Sequence, residues 1–432
     1  MTELDSIDAS DENGQDRIVR RRRFGRRIVL WIGILGPGLI AANAGNDAGG
    51  IATYASAGAQ FAYRTLFLML IVTVGLVVVQ EMSARLGAYT GEGLMSLIRE
   101  HFPLRVAAFA IIALVVANVG LVVSEFAGIG AAFQLFGVSR YISIPLAAGV
   151  IWAVVVFGSY RYAERIFLVL SLVFVAYPVA ALLGHPDWGK AGSQTVSPHF
   201  VGGHAFLFLA VAIVGTTITP YMQLYAAAAV ADRGIGPEDY PAERVDTVVG
   251  AIFADLVSWF IIVATAAAIG GRGPLTSAKQ AAQALKPVAG AGAEALFAIG
   301  LIGASALAGA VVPLATAYAV AEAAGVERST SRRFSEAPVF VTLFSGLVFV
   351  GALVALAPGN LIHLLVNMQV LNGIVAPVIL IFILILANRR SVLGDAVNGR
   401  RFNVVATVSV AGVAVLALVV LVQTVSGWLG LV

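Results

Sequence analysis

The chain contains no cysteine and very little charge. The absence of cysteine excludes a disulfide framework and any metal site built from thiolates. Only 12% of the 432 residues are Asp, Glu, Lys or Arg, about half of the ~25% that is typical of soluble domains. This scarcity argues against a water-soluble enzyme. Basic residues are not interleaved with aromatic ones, so nucleic acid is not an expected partner.

Long apolar runs take the place of the missing charge. Hydrophobic residues make up 59% of the chain, and the runs are long enough to cross a hydrocarbon core of ~30 Å. The sequence therefore predicts an all-α polytopic membrane protein with eleven transmembrane helices. The predicted helices are 28–60, 62–84, 104–136, 141–158, 163–184, 203–231, 245–270, 291–323, 337–357, 359–388 and 403–428.

The distribution of basic residues predicts the orientation of these helices. With the N-terminus inside, 21 of the 27 Lys and Arg residues fall on the cytosolic side, as the positive-inside rule requires. The N-terminus is therefore expected in the cytosol and the C-terminus outside. The membrane is expected to be a bacterial inner or plasma membrane. The basic segment from Arg17 to Arg27 is expected to contact anionic lipids.

Two of the predicted helices are interrupted by polar and small residues. The first interruption, "NAGNDAGG" (43–50), contains Asp47. A carboxylate at the bilayer centre costs at least ~2.5–3.5 kcal/mol, so Asp47 should face a pathway or a cation. Gly45 and Gly49 are predicted hinge or unwound positions, because glycine lets the backbone open.

The second interruption, "VGTTITPYMQLY" (214–225), lies in the sixth helix. Pro220 lacks an N–H and clashes with the preceding turn, so Gly215 and Pro220 are also predicted hinge or unwound positions. Helices 1 and 6 are each the first of five, which predicts two inverted repeats with a binding site between the broken helices. The predicted organisation is a disordered acidic and then Arg-rich cytosolic segment (1–27), a first repeat (28–200), a second repeat (201–390), and a loop with helix 11 (391–432).

Further polar residues interrupt the apolar helices. Glu125 lies in helix 3, and Gln369 and Asn372 lie in helix 10. Each could face the site or form a hydrogen bond between helices. Asp255 and Ser258, in helix 7, could be structural or part of the pathway. Glu81 and Arg85 are four residues apart, which favours an ion pair along helix 2.

Three stretches resemble the Nramp family of divalent-metal transporters. They are "GPGLIAANAGNDAGGIATY" in helix 1, "ARLGAYTGEGLMSLIREHFP" (84–103) after helix 2, and "RYAERIFLVLSLVFVAYP" (161–178) in helix 5. The resemblance extends from about residue 28 over nearly the whole chain. It implies the inverted 5+5 repeat of the amino-acid transporter LeuT, with helices 1 and 6 broken and a metal ion bound between them.

Two departures from the family signatures indicate a subgroup. The family's Asp-Pro-Gly-Asn is Asp47-Ala48-Gly49-Gly50 here, and its Met-Pro-His is Thr219-Pro220-Tyr221. These changes resemble the Nramp-related magnesium transporters. The thioether of the family's Met is a soft ligand, and the hydroxyl of Thr219 takes its place. Gly50 stands where the family has Asn, and the missing side chain leaves room for water. The expected ligands are hard oxygen donors that suit Mg²⁺.

The resemblance implies a set of ligands for a partly hydrated Mg²⁺ or Mn²⁺, the substrate; no cofactor is expected. Glu125 would add a second carboxylate, and a helix 10 amide would close over the ion. Met222 could return a sulfur ligand if helix 6 unwinds further. The expected ligand set is Asp47, Thr219, the backbone near Ala44 and Thr216, Gly50, Glu125, Gln369 and Asn372.

The resemblance also bears on coupling to protons. Proton-coupled relatives carry an acidic residue where Val122 stands, His where Tyr221 stands, and Arg in helix 9, where no ionisable residue lies between Glu336 and His363. A proton relay needs such groups, so uncoupled import driven by the membrane potential is expected.

Three alternatives remain open at this point. One is proton-coupled import of manganese or iron, the family's commoner activity. A second is a signalling protein that keeps the fold without transport; such proteins carry a long soluble C-terminal domain, whereas this chain ends shortly after helix 11. The third, a sodium-coupled amino-acid transporter, is disfavoured because Asp47 would crowd a substrate carboxylate. The oligomeric state is left open.

Overall fold

A computed structural model describes residues 47–157, 166, 169–170, 172–198, 200–324 and 338–428. Within these ranges, helices are the only regular secondary structure. The predicted Arg-rich segment and the first part of helix 1, with Ala44 and Gly45, lie outside the described residues. The predictions made for them therefore stay predictions.

The described residues form long helices joined by short helical turns. In chain order the α-helices are α1 Ala48–Phe61, α2 Leu66–Thr90, α3 Leu94–His101, α4 Leu104–Leu135, α5 Arg140–Val156, α6 Ala176–Leu183, α7 Trp188–Val196, α8 His204–Thr217, α9 Pro220–Asp232, α10 Tyr240–Ile269, α11 Ala278–Ala282, α12 Lys286–Ala289, α13 Ala293–Ala324, α14 Pro338–Ala355, α15 Leu361–Ala387, α16 Arg390–Leu393 and α17 Arg400–Trp428. The 3₁₀ turns are Ala62–Thr65, Leu172–Val175, Gln283–Leu285, Gly290–Gly292 and Gly394–Ala396.

The polytopic helical architecture is confirmed. In the described part of the chain, eight helical runs are long and apolar enough to cross a membrane, and two further apolar helices are shorter. One run, Ala48–Thr90, contains the described part of predicted helix 1 and all of helix 2. Each of the eleven predicted segments overlaps one of these runs or shorter helices.

The surface helices α3 and α7 were not predicted from the sequence. In α3, Leu94, Leu97 and Ile98 are buried while Arg99 and Glu100 are exposed. This is the pattern of a short amphipathic helix lying against the protein. A search for apolar runs of membrane-spanning length passes over such helices.

The long helices pack in two groups. In the first, which we call the bundle, α10 packs along α1 and α2, α9 packs on α2, and α8 packs on α1. In the second, the scaffold, α4 packs along α5, α13 and α14. Helix α15 contacts α4 on one side and α8 on the other, and α17 covers α15. The bundle and the scaffold therefore meet around α15 and the start of α1.

Glycine residues let helices within each group and between them approach closely. A Cβ on Gly58 of α1 would lie 2.5 Å from the Ile262 carbonyl of α10 and 2.9 Å from the Thr265 side chain. A Cβ on Gly215 of α8 would overlap the backbone of α15 at Gln369 and Gly373. Without an aqueous driving force between helices in lipid, such close approach is a main source of packing energy.

We expect Gly58→Ala to destabilise the bundle, because the added methyl group must push α1 away from the backbone of α10. Overpacking of this kind costs about 1–3 kcal/mol. The measurement is the thermal unfolding midpoint of the detergent-purified protein, with Gly412→Ala as the matched control. A Cβ at Gly412, on α17, meets nothing within 4 Å. Equal midpoints for the two variants would contradict this account of the α1–α10 contact.

Candidate metal-binding site

The described part of helix 1 begins directly after Asp47, which caps α1. Its carboxylate accepts a hydrogen bond of 2.6 Å from the Gly50 N–H, and its carbonyl accepts one of 3.0 Å from Ile51. An N-cap acid satisfies N–H groups that have no partner within the helix, and it also interacts favourably with the helix dipole. This cap holds the Asp47 carboxylate at the start of α1, where it is 2% exposed.

Predicted helix 6 is broken, as expected, into α8 and α9. Helix α8 ends at Thr217, and α9 begins at Pro220 with Thr219 as its N-cap. The unwound part is only two residues, because the fixed φ of proline suits the first position of a helix. The Asn372 amide of α15 donates a bond of 2.6 Å to the Gly215 carbonyl, and so satisfies one acceptor at the open end of α8.

These boundaries correct part of the hinge prediction. Gly49, Gly215 and Pro220 were predicted as hinge or unwound positions, yet all three lie in helical residues. Gly49 is helical because Asp47 caps the helix just before it. The glycine at position 215 is explained by its close packing against α15. Unwinding at these three positions is therefore wrong, while movement about them remains a prediction.

Glu125 of α4 lies beside Asp47, at the junction of bundle and scaffold. Its carboxyl group is within interaction range of the Asp47 carboxyl group, the Ala48 N–H and the Ser305 hydroxyl. Glu125 is fully buried, and neither of its carboxylate oxygens has a hydrogen-bond partner among the described residues. Asp47 and Glu125 form no ion pair with a described basic residue. Two buried carboxylates in this position repel each other unless a cation or a proton lies between them.

The amides of α15 face the same region. The Gln369 side-chain nitrogen lies 3.4 Å from the Ser124 hydroxyl, to which it donates. It also lies where a Cβ on Gly49 would be, so only glycine fits at that position of α1. The amide oxygens of Gln369 and Asn372 are buried and accept no hydrogen bond from the described residues.

The hydroxyls at the break in helix 6 are also unsatisfied. The side-chain oxygens of Thr216 and Thr219 are buried, and no described residue bonds to either one. Tyr221 and Met222 are buried in the first turn of α9. Buried polar atoms in native proteins normally have partners, so these oxygens are candidate ligands for an ion or a water molecule.

The donors that the structure gathers are oxygen atoms. Carboxylates come from Asp47 and Glu125, and the amide and hydroxyl oxygens without partners come from α15, α8 and the start of α9. The described residues hold no cluster of three His, Cys, Asp or Glu side chains. A site with two carboxylates and neutral oxygens suits a hard divalent cation that keeps some of its water.

The structure adds residues that the sequence did not single out. Ser124 precedes Glu125 on α4, and Ser305 reaches Glu125 from α13, so both border the carboxylate pair. The Tyr54 hydroxyl bonds to the Thr217 hydroxyl over 2.8 Å and joins α1 to α8. A serine next to an intramembrane acid is a weak signal, and no pattern in the sequence pairs α1 with α8 at these positions.

The structure also describes Val122 and Tyr221, the two residues at which the sequence predicts the loss of a proton path. Val122 is buried against Gly351, where a Cβ would overlap the Val122 side chain. The α4–α14 contact is therefore apolar and close at this point. Tyr221 is buried within electrostatic range of Asp47 and Glu125.

Comparison with known proteins agrees with this architecture. The family model described as "Natural resistance-associated macrophage protein-like", or Nramp, matches residues 38–423. The chain belongs to the Nramp family.

Relatives with known names match over most of their length. The chain is 26% identical over 430 residues to the "Divalent metal cation transporter MntH" of Klebsiella pneumoniae (strain 342), covering 97% of this chain and 96% of the relative. It is 27% identical to the protein of the same name from Deinococcus radiodurans, covering 88% of this chain and 86% of the relative.

Solved structures of Nramp and LeuT-like transporters share the fold. A manganese transporter of Eremococcus coleocola superposes with a TM-score of 0.75 at 19% identity, covering 93% of this chain and 89% of that one. The inward-facing form of Mhp1 superposes with a TM-score of 0.59 at 13% identity, covering 91% of both chains. The fold is therefore LeuT-like, as the resemblance implies.

We expect Asp47→Asn and Glu125→Gln each to weaken divalent-metal binding at least about tenfold, which corresponds to ~1.4 kcal/mol. Each change keeps the shape of the side chain and removes one negative charge that a cation would neutralise. Isothermal titration calorimetry with Mg²⁺ and Mn²⁺ on the purified protein measures the affinity.

The matched controls are Asp187→Asn and Glu294→Gln. Both acids lie outside the membrane segments or at their ends and pair with lysine, Asp187 with Lys190 at 2.8 Å and Glu294 with Lys279 at 3.1 Å. These controls should bind metal like the unmodified protein. Unchanged affinity in Glu125→Gln would remove this residue from the site.

Proposed function

We propose that this Nramp-family protein imports divalent metal ions, with partly hydrated Mg²⁺ as the preferred substrate and Mn²⁺ also carried. The observation that carries the proposal is the buried pair Asp47 and Glu125 at the start of α1, beside the break in helix 6. It is supported by relatives named as divalent metal cation transporters. The protein would act as a transporter in a bacterial inner membrane, with its N-terminus in the cytosol, rather than as an enzyme.

The preference for Mg²⁺ rests on the hardness of the donors. Thr219 offers a hydroxyl where the family signature has a thioether, and Gly50 offers no side chain where the signature has Asn. Oxygen donors and room for water favour Mg²⁺, which dehydrates reluctantly, whereas a thioether favours softer metals. Met222 follows Thr219 by three residues within helical α9, so it reaches the opening only if that helix unwinds.

The absence of proton coupling is supported by the contact of α4 with α14. Val122 packs against Gly351 so closely that neither a larger side chain nor water fits between their backbones. A relay across this contact would need titratable groups within hydrogen-bond reach. Transport would then be driven by the membrane potential, which supplies about 4.6 kcal/mol for two charges crossing 100 mV inward, since each charge gains ~2.3.

Alternating access follows from the division into bundle and scaffold. The ion would bind between them, and the bundle would rock to open one side at a time. Arg85 of α2 pairs with Glu81 at 3.3 Å and donates to the Ala396 carbonyl at 3.2 Å, in the turn before α17, and so ties the bundle to the segment that covers α15. The predicted pair of Glu81 and Arg85 is thus confirmed, and inward opening would break the second contact.

The first test is uptake into proteoliposomes that contain a pH-sensitive dye. With a negative internal potential we expect Mg²⁺ and Mn²⁺ to enter without acidification, because no proton accompanies the ion. Asp47→Ala should abolish entry, while Asp187→Asn should leave the rate unchanged. Acidification that follows metal entry would favour the alternative of proton-coupled import of manganese or iron.

The second test restores the family's ligands. The double change Gly50→Asn and Thr219→Met should shift the preference from Mg²⁺ toward Mn²⁺ by about tenfold, the effect of ~1.4 kcal/mol, because it adds a soft ligand and displaces water. Competition between the two ions during uptake measures the ratio. Thr424→Met is the control for the second change, since Thr424 lies on α17 and bonds only to its own helix at Val420. An unchanged ratio would refute the ligand argument.

A further inference from the structure

A second buried carboxylate lies in the bundle, away from the candidate site. Asp255 is at the middle of α10, is 4% exposed, and has a carboxylate oxygen, Oδ2, without a hydrogen-bond partner among the described residues. Its side chain lies beside the Thr73 hydroxyl of α2. An acid inside a membrane segment needs a cation, a proton or a water-filled path.

The Thr73 hydroxyl lies between two groups with acceptor oxygens, the Met69 carbonyl and the Asp255 carboxyl group. A hydroxyl has one hydrogen to donate, and Thr73 directs its hydrogen at the Met69 carbonyl over 2.6 Å. Its lone pairs therefore face the carboxyl group. Lone pairs do not bond to an ionised carboxylate, which offers no hydrogen, whereas they do bond to a carboxylic acid.

The Tyr54 hydroxyl of α1 also has a single hydrogen and more than one partner. The Thr217 hydroxyl lies 2.7 Å from the Ile213 carbonyl, and when its single hydrogen is directed there, Tyr54 is the donor in the bond between the two hydroxyls. Tyr54 lies within electrostatic range of Asp255, and its remaining lone pairs are acceptors. In this arrangement the hydroxyl hydrogens of both Thr73 and Tyr54 are directed away from Asp255.

No described basic group compensates the Asp255 charge. Of the titratable side chains on helices packed against α10, Tyr54 on α1 is the one that faces Asp255 electrostatically. The basic residues nearest in sequence on the same helix begin at Arg244, eleven residues away, or about 16 Å along the helix. Arg244 is occupied by Glu81 at 3.3 Å, as is Arg85 of α2.

We propose that Asp255 is a proton-binding site within the bundle, held as a neutral carboxylic acid that donates its hydrogen bond to Thr73. The occupant is a single proton rather than a divalent ion, because among the described residues no second acidic side chain acts on Asp255 as Glu125 does on Asp47. Tyr54 lies within electrostatic range of both Asp255 and Asp47. The proton would therefore keep an uncompensated negative charge away from the link between α1 and α8. The proposal needs no metal at the candidate site and stands apart from the proposed function.

Infrared spectroscopy of the purified full-length protein in lipid tests this directly. A protonated carboxyl group has a C=O stretching band that an ionised carboxylate lacks and that shifts on exchange into D₂O. We expect Asp255→Asn to remove one such band at neutral pH. We expect Thr73→Val to keep the band and move it to higher frequency, because the acid loses its acceptor. Asp187→Asn, which removes an exposed acid paired with Lys190, should leave the protonated-acid band unchanged.

Two results would overturn the proposal. One is a spectrum in which the acid band is the same in the unmodified protein and in Asp255→Asn, with both eluting as a single folded species. The other is a band that appears only when Na⁺ is withdrawn, since this would make Asp255 a ligand of a monovalent metal ion. The frequency shift expected for Thr73→Val is an independent measurement, because this variant keeps the Asp255 carboxyl group.

The same variants separate this proposal from the proposed function. Metal uptake by Asp255→Asn without acidification, together with loss of the band, supports the proton site and leaves uncoupled transport intact. Acidification in the unmodified protein that disappears in Asp255→Asn also supports the site, but it shows that the proton moves with the metal and so refutes uncoupled transport.

Discussion

The repulsion between two buried carboxylates governs the centre of this structure. Asp47 and Glu125 lie together without a described basic partner, in surroundings where burial makes their charges costly. The Gly50 N–H lowers this cost for Asp47 by donating to its carboxylate. The buried oxygens of α8, α9 and α15 that have no partner among the described residues add further partial negative charge. A divalent cation relieves the repulsion, and for this reason the features of the site fit a transported ion better than a static structural contact.

Close helix packing makes such a site possible in a membrane. Gly49 admits the Gln369 amide against α1, and Gly128 admits Ala48 and Ser305 against α4. Glycine at these positions removes the side chains that would otherwise separate the acids from the amides. The Asn372 bond to the Gly215 carbonyl ties the break in helix 6 to α15. The site therefore depends on small residues as much as on the polar ones.

Membership of the Nramp family is compatible with a different ligand chemistry at the same place. Relatives at 26% and 27% identity match nearly the whole chain, so the fold is kept while single positions vary. In the proposed site, Gly50 and Thr219 would change the donors, and Val122 packs closely against Gly351 where α4 meets α14. Asp255, in contrast, is a buried acid that this set of changes does not explain.

The sequence alone determined the class of protein, the positions of its apolar helices and the break just before Pro220, because apolar length and proline act locally along the chain. It also singled out Asp47, since a carboxylate in an apolar run is costly wherever the run lies. Only the tertiary structure decided that Glu125 meets Asp47, that Ser124 and Ser305 border the pair, and that Tyr54 bonds to Thr217. These contacts join residues far apart in sequence, and they depend on which faces of the helices meet, which periodicity in a uniformly apolar helix cannot reveal.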